Sequence, residues 1–435
     1  METSYETRIV NYALKTCGFY PLRAMQMWLI NTHFNKAKST MMNIGALFKL
    51  DASIDLERFA AAATDLLNSC DVFRCRLVFH PGTDDLCQRF DGEIAPVTVE
   101  KISDEEFETR KENLMKPYRL INNPLYRICI FETPTAKYLY GDFYHAIMDG
   151  TAATLLFWRE LETRYRGKKI TRAPLNYADF ILDELKVSPE ELAEGNKFWH
   201  DTLAGFDTAK HLPPADVENV QAWNKNKFFY EIQNVTHEYF TGGVRKEHIF
   251  FLAAAMLAIA KSTGANNSIM SWVHNGRNTA QERRMMGIMI EEFPVSWNFE
   301  KDLSAGEFLD GLEAKVQTGM RYRRSLGTVY EAGLEDDCAT FIFQKKTIGA
   351  NSNMTFAGTN AEIIDLPANE ISAAENTLDI NVNLTDDDSY LIRLDYDASR
   401  YSEAAMENFA AALDEIILAL QDETRAISAI LNTKG

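Results

Sequence analysis

A β-prone run that gives way to a helical one within a few residues is the strongest constraint on how this chain can fold. Lys137 to Tyr144 is short, aromatic and rich in strand formers, whereas Thr151 to Arg166 spaces Leu155, Phe157, Trp158, Leu161 and Tyr165 along one helical face. Strand must therefore hand over to helix across His145 to Gly150, within the run Tyr-His-Ala-Ile-Met-Asp-Gly. His145 falls at the strand end. Thr151 suits a helix N-cap, and Gly150 before it would let the backbone turn sharply or let a substrate approach closely. This placement exposes an imidazole and buries the Asp149 carboxylate. With an ordinary pKa of about 6.5, such an imidazole is largely uncharged near neutral pH and can accept a proton. The chain reads as an enzyme that uses His145 as a base.

A histidine and an aspartate four residues apart are also an ordinary helical pair, or two ligands of a metal. The rest of the chain narrows the choice. The other histidines, at 33, 80, 200, 211, 237, 248 and 274, show no ligand spacing, and His-Glu-x-x-His is missing, so no catalytic metal is expected. There is no phosphate loop, no Gly-rich dinucleotide turn after a strand and no Gly-x-Ser-x-Gly elbow. Nucleotide chemistry and an activated serine are not indicated. Direct acyl transfer fits best, because an activated thioester needs only alignment with a nucleophile and one base.

At 435 residues the chain exceeds what one hydrophobic core usually serves, so two domains are expected. Apolar residues make up 46% and charged ones 25%, the balance of a packed protein. A net charge of −18 argues against nucleic acid and anionic membrane surfaces as partners. Two basic clusters oppose the general sign, Arg164, Arg166, Lys168, Lys169 and Arg172 in one and Arg321, Arg323 and Arg324 in the other. Both read as solvated helix ends sooner than as anion sites. Six cysteines, at 17, 70, 75, 87, 129 and 338, lack Cys-x-x-Cys spacing and are expected to be reduced thiols. The longest apolar run, Ile249 to Ala260, is about half of the roughly 20 residues a bilayer requires, so it reads as a buried helix. With no secretory signal evident, the expected compartment is the cytoplasm.

Further strands are expected at Met42 to Leu50, Phe73 to Phe79, Arg127 to Phe131, Ser268 to His274, Ala339 to Phe343, Ile380 to Leu384 and Tyr390 to Tyr396. Helices are expected at Asp55 to Leu67, His248 to Lys261, Ser304 to Gln317 and Ser402 to Leu420. Gly167 to Gly195 reads as charged and irregular, and the stretch near Leu212-Pro-Pro as a long surface loop. Strands and helices mix without a regular parallel βαβ beat.

Several segments, in order, resemble the condensation domains of nonribosomal peptide synthetases, within the chloramphenicol acetyltransferase-like superfamily. They are Tyr20-Pro-Leu-Arg-Ala-Met-Gln-Met-Trp, Cys70-Asp-Val-Phe-Arg-Cys-Arg-Leu-Val-Phe, Tyr144-His-Ala-Ile-Met-Asp-Gly, Asn176-Tyr-Ala-Asp-Phe, Asn275-Gly-Arg and Met286-Gly-Ile-Met-Ile-Glu-Glu-Phe-Pro-Val. The resemblance covers nearly the whole chain. It implies an α/β fold of the α+β sandwich type, with two acetyltransferase-like lobes in a V-shaped pseudo-dimer and a tunnel between them. The lobes would be residues 1–175, carrying the motif, and 176–435. His145 would position or deprotonate an amine or hydroxyl acceptor, Asp149 would pair with Arg277, and Gly150 would leave room for the donor's pantetheine arm. The donor would be a thioester on a phosphopantetheine carrier protein or on coenzyme A, with no bound cofactor.

The chain departs from the family pattern in two places. Tyr144 replaces the first of two adjacent histidines, and Glu291 and Glu292 stand where asparagine and threonine are usual. These carboxylates would favour a cationic acceptor if they neared the tunnel, or would mark a solvent-facing turn. Backbone amides around Gly150, or polar groups near Asn353, are candidates for oxyanion stabilisation. The chain ends without an adenylation or carrier module, which implies a free-standing condensation enzyme. A coenzyme A-dependent alcohol or amine acetyltransferase and a non-catalytic docking platform of a synthetase complex are the alternatives.

Overall fold

The computed structural model describes residues 18–35, 38–168, 176–206, 211–217, 225–243, 245–325, 338–345, 353–366 and 377–432. The strands are β1 (Asn43–Leu50), β2 (Arg76–Phe79), β3 (Leu86–Arg89), β4 (Val99–Lys101), β5 (Tyr126–Glu132), β6 (Lys137–Tyr144), β7 (Lys225–Glu231), β8 (Asn267–His274), β9 (Glu291–Asn298), β10 (Thr340–Lys345), β11 (Asn353–Phe356), β12 (Thr359–Ile364), β13 (Leu378–Leu384) and β14 (Tyr390–Asp397). The helices that carry the packing are α1 (Ala24–Asn35), α2 (Leu56–Ser69), α3 (Phe157–Tyr165), α4 (Tyr177–Glu184), α5 (Pro189–Leu203), α6 (Glu247–Thr263), α7 (Ala305–Arg321) and α8 (Glu403–Leu420). The fold is thus mixed α and β, with two six-stranded sheets and a small β2–β3 hairpin.

Two compact units divide the chain. The first joins residues 1–186 to two later segments, 275–290 and 351–372. The second takes 187–274, 291–350 and 373–435. A single cut near residue 175 leaves both later segments in the other half. Their pairing accounts for where they lie: β12 runs antiparallel to β1, with Leu47 opposite Ile364, and 275–290 is bonded to the loop after β6.

In the first unit the sheet order is β11-β12-β1-β6-β5-β4. Alternation assigns the two faces of β6. Phe143 meets Phe157 at 4.8 Å between ring centroids, Phe48 meets Trp158 at 4.9 Å, and the Trp158 ring lies where a side chain on Gly141 would be. The opposite face carries Tyr138, Tyr140, Asp142 and Tyr144, with the buried Asp142 carboxylate held by Arg127 at 2.6 Å and Asn43 at 2.9 Å. Helix α2 begins where its sequence says it should, with Asp55 accepting from the Arg58 amide at 3.0 Å.

The second sheet has the order β7-β14-β13-β10-β8-β9, with β10 parallel to both neighbours. Every residue from Ile249 to Ala260 is buried in α6, as the unbroken apolar run requires. The charged stretch after Gly167 holds α4 and α5, so its reading as irregular is corrected. Ser188 caps α5 through the Glu191 amide, Pro189 stands in the first turn, and glutamates fill that turn. Leu212 and Pro213 are buried, and the Tyr401 hydroxyl donates to the Pro213 carbonyl at 3.0 Å, so this end of the stretch is packed, whereas Pro214 to Asp216 are exposed and irregular. Among the described residues no helix is long and apolar enough to cross a membrane.

His248 and His274 flank the Trp272 ring in the second unit, at 5.6 and 5.2 Å between centroids, and burial pushes both down to about 4. Their folded pKa lies below the unfolded value near 6.5, so the unfolded chain takes up protons first as pH falls. Stability is expected to drop between pH 6.5 and 4, by at most about 1.4 kcal/mol per pH unit for each histidine. Urea midpoints at pH 7 and pH 5 check this. The double variant His248→Gln, His274→Gln should flatten the difference.

Candidate active site

Strand β6 ends at Tyr144, and the next residues are tied down by backbone bonds. The His145 amide donates to the Met42 carbonyl at 2.8 Å, and the Ile147 amide closes a turn onto Tyr144 at 3.0 Å. His145 itself is half-buried, with surrounding protein deep enough that burial lowers its pKa below 6.5. Its own main chain and the negative charge of Asp149 oppose that shift without cancelling it. Nδ1 is buried and finds no hydrogen-bond partner on another described residue. The site therefore presents an imidazole that is neutral at pH 7.

Asp149 faces the other way and is completely buried. One oxygen, Oδ1, accepts from the Ala152 amide at 2.8 Å; Oδ2 accepts from Arg277 Nη1 at 2.7 Å and from the Met289 amide at 2.8 Å. The N-cap of the motif helix is thus Asp149. Thr151, expected in that role, is already helical and makes no side-chain cap bond. Arg277 is enclosed, and its two terminal nitrogens also donate to the carbonyls of Asn275, Met285 and Gly287. A bidentate-capable cation and an acid with every bond made can persist without water, whereas either alone could not.

Residues Ala152 to Leu156 form a π-helical turn between Asp149 and α3. Such turns insert one extra residue and recur where a helix start is shaped for function. Gly150, at the head of this helix, lies outside the left-handed region, so no sharp turn demands a glycine there. Nothing stands within 4 Å of where its Cβ would be. Open space beside the backbone remains its distinguishing property.

The segment from Asn275 to Ile290 depends on two glycines. Gly276 has φ +65°, and a Cβ there would overlap the Met289 carbonyl oxygen; Gly287 has φ +153°, and a Cβ there would enter the Tyr177 ring. Tyr177 donates its hydroxyl to the Ile288 carbonyl at 2.7 Å, and Arg23 reaches the same oxygen at 2.7 Å while pairing with Glu184. Gly276→Ala is expected to lose about 1–3 kcal/mol from strain and overlap. A lowered urea midpoint of the purified variant would show it.

Other candidates fall elsewhere. Tyr144 has no accessible surface; its ring packs edge-on to His33 and Tyr118, at 5.4 and 5.6 Å. Glu291 and Glu292 are not on a turn: they open β9 in the second unit. Glu291 faces Arg323 at 3.5 Å, while Glu292 accepts from Ser271 at 2.6 Å and is raised above the usual carboxylate range, chiefly by burial. Asn353 begins β11 in the first unit, opposite Glu362. In the basic clusters Arg164 pairs with Asp65, Arg166 with Glu162 and Arg323 with Glu291, while Lys169 and Arg172 lie outside the described residues.

Two residues at the site carry no role in the sequence reading, Gln26 and Gln88, both fully buried. Gln26 shares a helix face with Ile30 and His33, so a polar side chain at an apolar position was the available signal.

Comparison with known proteins decides the family. The family model described as the condensation domain matches residues 16–432. The chain belongs to the condensation-domain family. Condensation domains are amide-bond-forming acyltransferases. Curated relatives of this condensation domain include tyrocidine synthase 3 of Brevibacillus parabrevis, 22% identical over 72% of this chain and 5% of the relative. A plipastatin synthase of Bacillus subtilis (strain 168) is 21% identical over 93% of this chain and 16% of its own length. The chain therefore spans a small part of these synthetases. Among solved structures, the condensation domain of the monacolin K polyketide synthase MokA superposes with TM-score 0.75 at 15% identity, covering 94% of this chain and 99% of that one. The starter condensation domain of the rhizomide synthetase RzmA superposes with TM-score 0.73 at 16% identity, covering 95% and 99%. At such identities these likenesses establish the fold.

Proposed function

We propose that this condensation domain transfers an acyl or aminoacyl group from a pantetheine thioester, on a carrier protein or coenzyme A, to an amine or hydroxyl acceptor. The observation that carries the reading is a half-buried histidine at the end of β6 whose imidazole is kept neutral by burial, beside a glycine with open space at its Cβ position, while the neighbouring acid is turned into the Arg277 pair. In the proposed reaction the acceptor's lone pair attacks the thioester carbonyl and its proton passes to His145. The tetrahedral adduct then collapses, the carbon–sulfur bond breaks, and the leaving thiolate takes the proton. His145 contributes orientation and the proton relay, and Asp149 with Arg277 holds the loop that carries it. Gly150 leaves room for the pantetheine arm, and its amide, at the head of the motif helix, is a candidate donor to the oxyanion.

Support for the donor class comes from a relative. A doubly substituted mutant of the rhizomide starter condensation domain has been solved in complex with C8-CoA and Leu-SNAC, with TM-score 0.69 to this chain at 14% identity. The test is thiol release from octanoyl-CoA and from octanoyl-N-acetylcysteamine in the presence of a panel of amines and alcohols, with products identified by mass. Acceptor-dependent release supports the reading, and a preference for the full coenzyme over the truncated thioester points to coenzyme A as the donor. A docking platform would release no thiol with any acceptor.

A further inference from the structure

The loop bearing His145 is fixed from beneath by a pair of side-chain amides. Gln26, on α1, donates through Nε2 to the Ala146 carbonyl at 2.8 Å and to Gln88 Oε1 at 3.1 Å. Gln88, on β3, answers through its own Nε2, which donates to Gln26 Oε1 at 3.0 Å and to the Pro21 carbonyl at 2.8 Å. The remaining acceptor capacity is met by the Arg23 amide on Gln26 and the Cys75 thiol on Gln88, at 3.0 and 3.7 Å. Each amide nitrogen has two donors, and all four have partners. Both side chains are at 0% exposure, where a half-satisfied amide would be costly and a completed network is rigid.

Among the described residues this pair reaches the active loop through the bond to Ala146, the residue after His145. Met42 holds the His145 amide on one side, and Gln26 holds the next carbonyl on the other. The two bonds bracket the Cα that carries the imidazole. Among the described residues Gln88 is joined to the loop by way of Gln26. We infer that Gln26 is a positioning residue for His145, setting the ring's place and burial through the Ala146 carbonyl, and that Gln88 serves to orient Gln26. The inference rests on the reading of His145 as the group that handles the acceptor's proton.

The asymmetry within the pair supplies the test. Gln88→Met orphans Gln26 and Pro21 yet leaves the bond to Ala146 possible; Gln26→Met removes it. Both variants should lose thermal stability to a similar degree. In the full chain, carbethoxylation of His145 by diethyl pyrocarbonate, followed by peptide mass spectrometry from pH 5 to 8, reads the ring's protonation and access. We expect the midpoint to stay below 6.5 in the parent protein and in Gln88→Met, and to rise toward 6.5 with faster labelling in Gln26→Met. Thiol release should fall about 10- to 100-fold in Gln26→Met with little change in KM for the thioester. Where Gln26→Met folds too poorly, Gln26→Met with Gln88→Met removes both amides together and should regain stability while His145 labelling stays altered. Equal labelling changes in both single variants, or none in Gln26→Met and the double variant, would overturn the inference. His145→Ala in the same thiol assay separates the two ideas: turnover that survives it defeats the role of His145 itself, whereas turnover lost there but retained in Gln26→Met defeats only the positioning role.

Discussion

His145→Ala is expected to lower acceptor-dependent thiol release by about 10²- to 10⁴-fold, the range supplied by a positioned acid–base group. The fold should be preserved. The imidazole is half-buried, and no other described residue donates to or accepts from its Nδ1, so truncation orphans no partner. Protonation gives a second readout. Burial holds the folded pKa below 6.5, so the base form persists into mildly acidic solution, and turnover should be level near neutrality and fall as pH drops through that lowered value. The same sign governs stability: the unfolded histidine binds its proton first, so its contribution is lost as pH falls from 6.5 toward the folded pKa, and the alanine variant should be less acid-sensitive there. A pH–rate profile from 4.5 to 8.5 checks both. An acidic limb centred above 7, or turnover in the variant near that of the parent, would remove the imidazole from the chemistry.

How much of this could be read beforehand depended on whether the signal was local. The strand from Lys137 to Tyr144 has the expected bounds, because a short aromatic run (Tyr138, Tyr140, Phe143 and Tyr144) after a turn signals a strand without help from distant chain. Ser304 and Ser402 each cap a helix through the amide three residues on, again a local pattern. Where the outcome depended on tertiary partners, the sequence was silent or misleading. Asp149 and Arg277 lie 128 positions apart, and nothing in their spacing joins them; family resemblance supplied the pair. Adjacent glutamates at 291 and 292 could be read as carboxylates near the tunnel or as a solvent-facing turn, yet they open β9, paired with β8 at Val273 and His274. Gln26 escaped notice because its value lies in Gln88 and Ala146, which approach it only in the folded unit. The helix cap shows the same limit: Thr151 fits by type, but Asp149 is the residue whose carboxylate the backbone brings to the Ala152 amide.

Asp149→Ala is the substitution expected to cost most stability. It deletes the acceptor of the Arg277 guanidinium and of the Met289 and Ala152 amides at once. The two side chains are at 0% and 1% exposure, so no water screens the cation left behind. Removing one member of a buried ion pair typically costs about 3–5 kcal/mol, and the two orphaned amides add to that. Urea unfolding followed by a probe in the first unit should show the midpoint falling sharply, and turnover should vanish with it because the segment after β6 loses its anchor. Asp149→Asn keeps the shape, but its amide nitrogen would face donors on one side, so it should recover only part of the loss. The informative companion is Asp149→Ala with Arg277→Met, in which the uncompensated charge is gone. If burial of an unpaired cation is the main cost, this double variant should be more stable than Asp149→Ala alone while remaining inactive. A double variant no more stable than Asp149→Ala would instead place the cost in the Ala152 and Met289 amides, making Asp149 chiefly a helix cap and backbone tie.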